Sequence, residues 1–224
     1  ALLPLLTRQV RAGDEAGARA SLNRAIEIAL LLAIPAAAAS IAIAEPIIAV
    51  LFQRGQFTPS DTTKTAWALI AYSTGLPAYC LVKVLAPAFF ARQDIKTPVR
   101  IALSCVVVNF TLNVVLGVFT PLAHVGIALS TAIGAWLNTS LLATMLVRRG
   151  HFASDARLKS QAWRIVCAAL GMAALLVLGR HLLAAPLADG EVARAFALAV
   201  LVAGGLAAFA VLALVLIAQA FLKP

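Results

Sequence analysis

Charge is what this sequence has least of. Of its 224 residues, 12% are Asp, Glu, Lys or Arg, whereas 62% are hydrophobic. A soluble domain carries about a quarter charged residues and about half apolar ones. So little charge excludes an ordinary water-exposed surface and points to a protein embedded in lipid. Acid is the scarcer sign, with nine Asp and Glu against eighteen Lys and Arg, for a net charge of +9. That surplus does not imply a nucleic-acid partner, because the basic residues lie scattered between apolar runs and form no patch with interleaved aromatics.

Cysteine is scarce as well. Cys80, Cys105 and Cys167 each sit inside an apolar run, at spacings that match no metal or redox motif. They read as small hydrophobes packed in the membrane. His124, His151 and His181 lie in or near loops and far apart in sequence. No Ser/His/Asp order, phosphate loop or paired carboxylate stands out. An enzyme, a cofactor and a metal are therefore not expected. No cleavage-site pattern follows Ala1–Leu6, which run straight into Thr7-Arg8, so no signal peptide is expected. The simplest reading of that start is a fragment beginning at the end of an earlier helix.

What the sequence has in abundance is long apolar runs. A bilayer core takes about 20 apolar residues of helix to cross. Six runs meet that length, at about 26–52, 66–91, 99–119, 122–147, 163–185 and 192–222. Helices satisfy every backbone group within the segment, and the alternation of a membrane barrel strand is absent. The fold class expected is all-α, a polytopic bundle of about six transmembrane helices. Its parts are a surface segment at 1–25, four spans at 26–147, a loop at 148–162 and two further spans at 163–224. Thr7 to Asn23 is too polar to cross and reads as a surface helix or turn, with Ser21 as a plausible cap for span one.

The loops between spans divide the positive charge unevenly. The amino-terminal segment, the 92–100 and 148–164 loops and the carboxyl end carry thirteen Lys and Arg, and the opposite loops carry four; Lys83, within a span, completes the eighteen. Cytoplasmic loops carry the excess. Both ends, with the 92–100 and 148–164 loops, are therefore expected on the cytoplasmic side.

Several residues break the apolar rule. Lys83 lies inside span two, some two turns from its cytoplasmic end. It either faces a cavity or snorkels its ammonium to the headgroups. Glu45, just before Pro46, either faces a water-filled cavity or sits at the interface capping a broken helix. Glu27 reads as the surface partner of Arg24. Pro35, Pro46, Pro77 and Pro87 interrupt spans one and two, and Gly75 adds a weak point. Each proline removes one helix bond, so Pro46, Gly75, Pro77 and Pro87 are hinge candidates. Asn109 and Asn113 share a face of span three and read as glue between helices rather than substrate contacts. Gly204-Gly205 permits close helix approach or a bend.

The charged hinge carries the most specific pattern. Val82-Lys83-Val84-Leu85-Ala86-Pro87, then Phe89, then Ala91-Arg92-Gln93-Asp94-Ile95-Lys96-Thr97-Pro98-Val99 resembles the MurJ/MviN family, the lipid II flippases of bacterial peptidoglycan synthesis. Leu3-Pro4 through Thr7-Arg8, Ala44-Glu45-Pro46-Ile47, Leu51 to Thr58 and His124 to Ser130 resemble that family in the same order. The likeness runs over roughly residues 1–150; beyond that only hydropathy and span number agree. Ala88 departs from the family's usual Gly.

The resemblance implies fourteen helices, in two six-helix lobes around a cavity with two helices added at the carboxyl end. The six spans here would be the ninth to fourteenth. It implies alternating access for lipid II, the undecaprenyl-linked precursor, in the bacterial cytoplasmic (inner) membrane. Membrane lipids, the remaining helices of the same protein and cell-wall synthesis or division proteins are the partners it suggests. Lys83, Glu45, Arg92, Asp94 and Lys96 become candidates for the substrate path or its gating. Two alternatives stand beside this reading. One is another exporter of the same superfamily, a drug/cation antiporter or polysaccharide flippase. The other is a non-transporting scaffold that binds lipid-linked precursors.

Overall fold

The computed structural model describes residues 2–120, 123–184 and 190–221. Lys223, positions 121 and 122, and the last residues of the fifth and sixth expected spans lie outside them. Among the described residues all regular structure is helical. The helices are α1 (Leu2–Arg11), α2 (Glu15–Ala42), α3 (Ala44–Phe52), α4 (Pro59–Phe90), α5 (Lys96–Val118), α6 (Ala123–Arg148), α7 (Ala156–Leu182) and α8 (Glu191–Phe221). Six of them, α2 and α4 to α8, are long and apolar enough to cross a membrane. The 32 residues of α4 make a rod about 48 Å long at 1.5 Å per residue. That exceeds a hydrocarbon core of about 30 Å.

The helix ends follow from local chemistry. Leu2, Leu6 and Val10 recur every four residues of α1 and turn one face to the core, leaving Arg8 and Arg11 outside. Gly13, at φ +73°, then reverses the chain. The Asp14 carboxylate accepts the backbone N–H of Gly17 at 2.8 Å and caps α2. This corrects the expected start at Ser21, which lies two turns inside the helix. Asp14 sits where the open N–H groups of the first turn need an acceptor, whereas Ser21 lies inside the helix.

Span one is broken where its sequence holds Pro46. Proline has no N–H to give the carbonyl of Ala42, and the backbone leaves the helical path at Ile43 before α3 resumes. At the other proline-opened end, Thr58 and Asp61 form a reciprocal box ahead of Pro59. The Asp61 N–H donates to the Thr58 hydroxyl at 3.3 Å, and the Thr58 N–H donates to the Asp61 carboxylate at 3.1 Å. Asp155 caps α7 by accepting the Leu158 N–H at 2.7 Å, so that helix starts at Ala156, ahead of the expected 163.

The chain divides into two compact units, Ala1–Ala33 with Gly75–Ala162, and Ile34–Thr74 with Trp163–Pro224. In the first unit Leu6, Leu22, Ile26, Leu85, Phe89, Leu142 and Leu146 form the core. Polar pairs hold its helices together. Asn113 donates to Asn109 at 3.1 Å and accepts from Ser130, joining α5 to α6. Thr139 on α6 donates to the Ala78 carbonyl on α4 at 2.9 Å, and the Tyr79 hydroxyl donates to the Thr131 carbonyl at 3.1 Å. Such bonds matter in lipid, where apolar side chains gain nothing by leaving the acyl tails for one another. The bare outer face of α5, with Phe110 68% exposed, suits that solvent. In the second unit Ile43, Met172, Leu176 and Leu201 form the core, and α3 packs on α8.

Candidate functional site

The charged turn between α4 and α5 is tied down from three directions within the first unit. Gln93 adopts φ +60°, which folds the chain back so that the Asp94 N–H reaches the Phe89 carbonyl at 3.1 Å. The Asp94 carboxylate accepts the Thr97 N–H at 3.0 Å and caps α5. It also pairs with Arg149 from the end of α6. A second nitrogen of Arg149 donates to the Thr97 hydroxyl at 2.9 Å, and the guanidinium lies 5.7 Å from the centroid of the Phe89 ring. Hydrogen bonds from Thr97 and from Arg149 hold the Asp94 carboxyl down at about 2.

Arg92 anchors the other side of the turn. It donates to the Ala88 carbonyl at 2.9 Å, satisfying one open carbonyl at the end of α4, and pairs with Glu15 at the start of α2. His151 Nδ1 stands 3.9 Å from the same Glu15 carboxylate. Its pKa is lowered, first by burial and then by the neighbouring cation of Arg92. Asn23 donates to the Ala153 carbonyl at 3.0 Å, and Glu27 pairs with Arg24 at 2.7 Å and Arg157 at 3.7 Å. One charged cluster thus clasps the start of α2, the α4–α5 turn and the α6–α7 turn. Chemically it can do one thing well: hold three helix ends in register, and release them if its charges are neutralised.

The remaining candidates stand elsewhere. Lys83 is exposed on α4 and has no hydrogen bond or ion pair among the described residues. Its neighbours a turn away, Tyr79, Ala86 and Pro87, carry no carboxylate. Lys96 is likewise exposed, at the first turn of α5. The helix α4 continues through Pro77 and Pro87. Gly75 is a point of contact: a Cβ there would stand 2.9 Å from the Ala132 Cα of α6. In the second unit, Glu45 and Pro46 line a pocket of about 540 Å³ with Arg180 and Arg194.

The site is thus broader than the motif. In the sequence Arg149 and His151 read only as residues in or near a loop, and Glu15 only as part of the polar surface segment Thr7 to Asn23. Arg149 meets Asp94 across 55 positions of chain. The one available signal was the double arginine, Arg148-Arg149, closing an apolar run. Among the described residues no group of His, Cys, Asp and Glu is placed to hold a metal ion.

Comparison with known proteins bears on the whole chain. The family model "Lipid II flippase MurJ" matches residues 1–202, well past the stretch where motifs are legible. A "Probable lipid II flippase MurJ" of Rhizobium meliloti (strain 1021) is 41% identical over 210 residues, covering 93% of this chain and 39% of that protein. One of Rickettsia prowazekii (strain Madrid E) is 37% identical over 180 residues, covering 80% of this chain and 35% of that protein. The chain therefore spans less than two fifths of the length of these relatives. A solved structure described as "Lipid II flippase MurJ, inward closed conformation" superposes over 99% of this chain and 43% of its own, with a TM-score of 0.75 at 22% identity. At that identity the likeness speaks for the fold.

Proposed function

The chain belongs to the lipid II flippase MurJ family, and from that premise we propose that it forms the carboxyl-terminal helices of a carrier that moves lipid-linked peptidoglycan precursor across the bacterial inner membrane. Residues 26–147 would complete one lobe around a central cavity, and residues 163–224 would add the final pair of spans. Both ends and the 92–100 loop would face the cytoplasm, as the distribution of loop charge favours. Transport would proceed by alternating access, with lipid II taken from the inner leaflet and released at the outer one.

The observation that carries this reading is Lys83. A bare cation within a span is costly, and such groups nearly always face a bundle interior or a water-filled path. Lys83 is exposed and has no carboxylate partner among the described residues. That is the arrangement expected of a residue lining a cavity whose other wall is supplied by further helices. A cation there suits a pyrophosphate-bearing lipid. The clasp of Glu15, Arg92, Asp94 and Arg149 would hold the cytoplasmic end of the lobe while the cavity changes sides, with Lys96 beside it at the mouth.

The test is complementation in cells depleted of their own flippase. The complete protein should restore growth and the precursor exposed at the outer leaflet, measured with an impermeant enzyme that degrades it. Lys83→Ala should lower that exposure at equal protein level. Full activity of Lys83→Ala would return the lysine to a headgroup-seeking role, and failure of the unaltered protein to restore exposure would overturn the transport reading.

A further inference from the structure

The end of α4 is closed by a residue poorly suited to the task. The Gln93 N–H donates to the Phe90 carbonyl at 3.0 Å and the Asp94 N–H to the Phe89 carbonyl at 3.1 Å, a reversal that holds Gln93 at φ +60°. Glycine takes that conformation freely, whereas a residue with a Cβ is strained there. Among the described residues the other left-handed positions, Gly13, Gly55 and Gly150, are all glycine. Gln93 keeps a side chain despite the strain, yet that side chain is exposed and makes no hydrogen bond among the described residues. The turn itself has no use for it.

The Gln93 side chain lines a hollow of about 230 Å³ within the first unit, between α1 and the end of α4. Arg11, from the last turn of α1, lines it as well, with Thr7, Val10, Phe90 and Arg92. Arg11 is exposed and has no hydrogen bond or ion pair among the described residues. Arg92 is already matched by Glu15, but its buried Nε–H has no acceptor among them. No acidic residue lines the hollow. It therefore offers donors and positive charge with no negative charge against them, which selects an oxyanion. A carboxylate has two oxygens in one plane and suits a single guanidinium fork. A phosphate group has oxygens in three directions, and the donors here belong to three residues, Arg11, Gln93 and Arg92.

We propose that Arg11 and Gln93, with the Nε–H of Arg92, form a binding site for a phosphate group at this end of the bundle. Gln93 stands where glycine would fit better because its amide donates to that phosphate. Soluble phosphates and lipid-borne ones share this chemistry, and the apolar Val10 and Phe90 in the wall favour a phosphate that carries a hydrocarbon chain. Only the side of the membrane assigned to the site, the cytoplasmic one, rests on the functional reading above.

Modification by phenylglyoxal tests this in the complete protein in detergent, with the rate at each arginine read by mass spectrometry of its peptides. Inorganic pyrophosphate and farnesyl diphosphate are the probes. Arg8, exposed one turn earlier on α1 and outside the hollow, is the internal reference. At about four times the midpoint concentration of either probe, modification of Arg11 should slow about fivefold, as occupancy alone requires, while Arg8 keeps its rate. Gln93→Gly suits φ +60° and leaves the turn intact, and it should raise the midpoint about three- to tenfold, the loss of one hydrogen bond to a charged group. A lower midpoint for farnesyl diphosphate assigns the site to a lipid phosphate, and equal midpoints assign it to a soluble one; both keep the site. Equal slowing of Arg8 and Arg11, or an unchanged midpoint in Gln93→Gly, would overturn it. Arginines elsewhere in the protein do not enter the readout, and no translocation is measured, so a failure here is distinct from a failure of the flippase reading.

Discussion

Asp94 is the residue on which the charged clasp turns, and its removal has a calculable cost. Asp94→Ala removes the cap of α5, worth about 1 kcal/mol. It also removes the pair with Arg149. That pair is only partly shielded, with the Asp94 side chain 23% and the Arg149 side chain 38% exposed, so screening holds it to about 0.5–1 kcal/mol. The expected loss for Asp94→Ala is therefore about 1.5–2 kcal/mol. Asp94→Asn keeps an acceptor for the Thr97 N–H and should lose mainly the pair. A double-mutant cycle of Asp94→Asn with Arg149→Ala, read by reversible unfolding of the complete protein in mixed micelles, should show a coupling of about 0.5–1 kcal/mol. The pH dependence has a definite sign. The Asp94 carboxyl is depressed from 3.8 to about 2 by its bonds to Thr97 and Arg149. Its contribution is therefore complete above the unfolded value and fades as pH falls from 3.8 towards 2. The unaltered protein and Asp94→Asn should converge across that window. A coupling indistinguishable from zero, with the two proteins equally stable at pH 7, would refute the clasp.

Two further perturbations probe the same unit. Gly75→Val places side-chain atoms against the Ala132 backbone, where even a Cβ would stand at 2.9 Å; overpacking of about 1–3 kcal/mol should lower the melting temperature, and an unchanged melting temperature would show that α4 and α6 do not meet at this point. His151 has its pKa lowered by burial and by Arg92, Arg149 and Arg19, with Glu15 opposing. Its neutral form therefore favours the fold, and this part of the stability is complete above pH 6.5 and declines as pH falls below it. Stability of the unaltered protein should drop relative to His151→Gln between pH 7.5 and 5, and parallel curves would contradict that assignment.

The spans were legible because lipid imposes a simple rule: a backbone that meets no water must be helical over the width of the core. Pro46 was legible as a break because a missing N–H has a local consequence, here at Ile43. Asn109 and Asn113 were legible as a pair because four residues bring side chains to one helical face, and Asn113 indeed takes Ser130 as its partner on α6. Pairings across long stretches of chain were not legible. The Arg92–Glu15 contact spans 77 positions and the Asn23–Ala153 bond 130; nothing in either local sequence announces the other. The start of α2 is not legible at Asp14 because alternating small and charged residues mask the two helical turns that precede Ser21 and the first apolar residues. Arg180 escaped notice for a related reason. It reads as the positive end of a span, and its tie to Ala42 depends on a carbonyl that a distant proline leaves open.

The central claim is that the clasp and the 92–100 loop face the cytoplasm while the α3–α4 loop faces outward. Single cysteines at Lys96 and at Gln56, in the complete protein with Cys80, Cys105 and Cys167 replaced by alanine, test it through labelling with a membrane-impermeant thiol reagent. The account predicts that Gln56→Cys labels in intact spheroplasts and that Lys96→Cys labels only after the membrane is opened. Labelling of Lys96→Cys in sealed spheroplasts would contradict it.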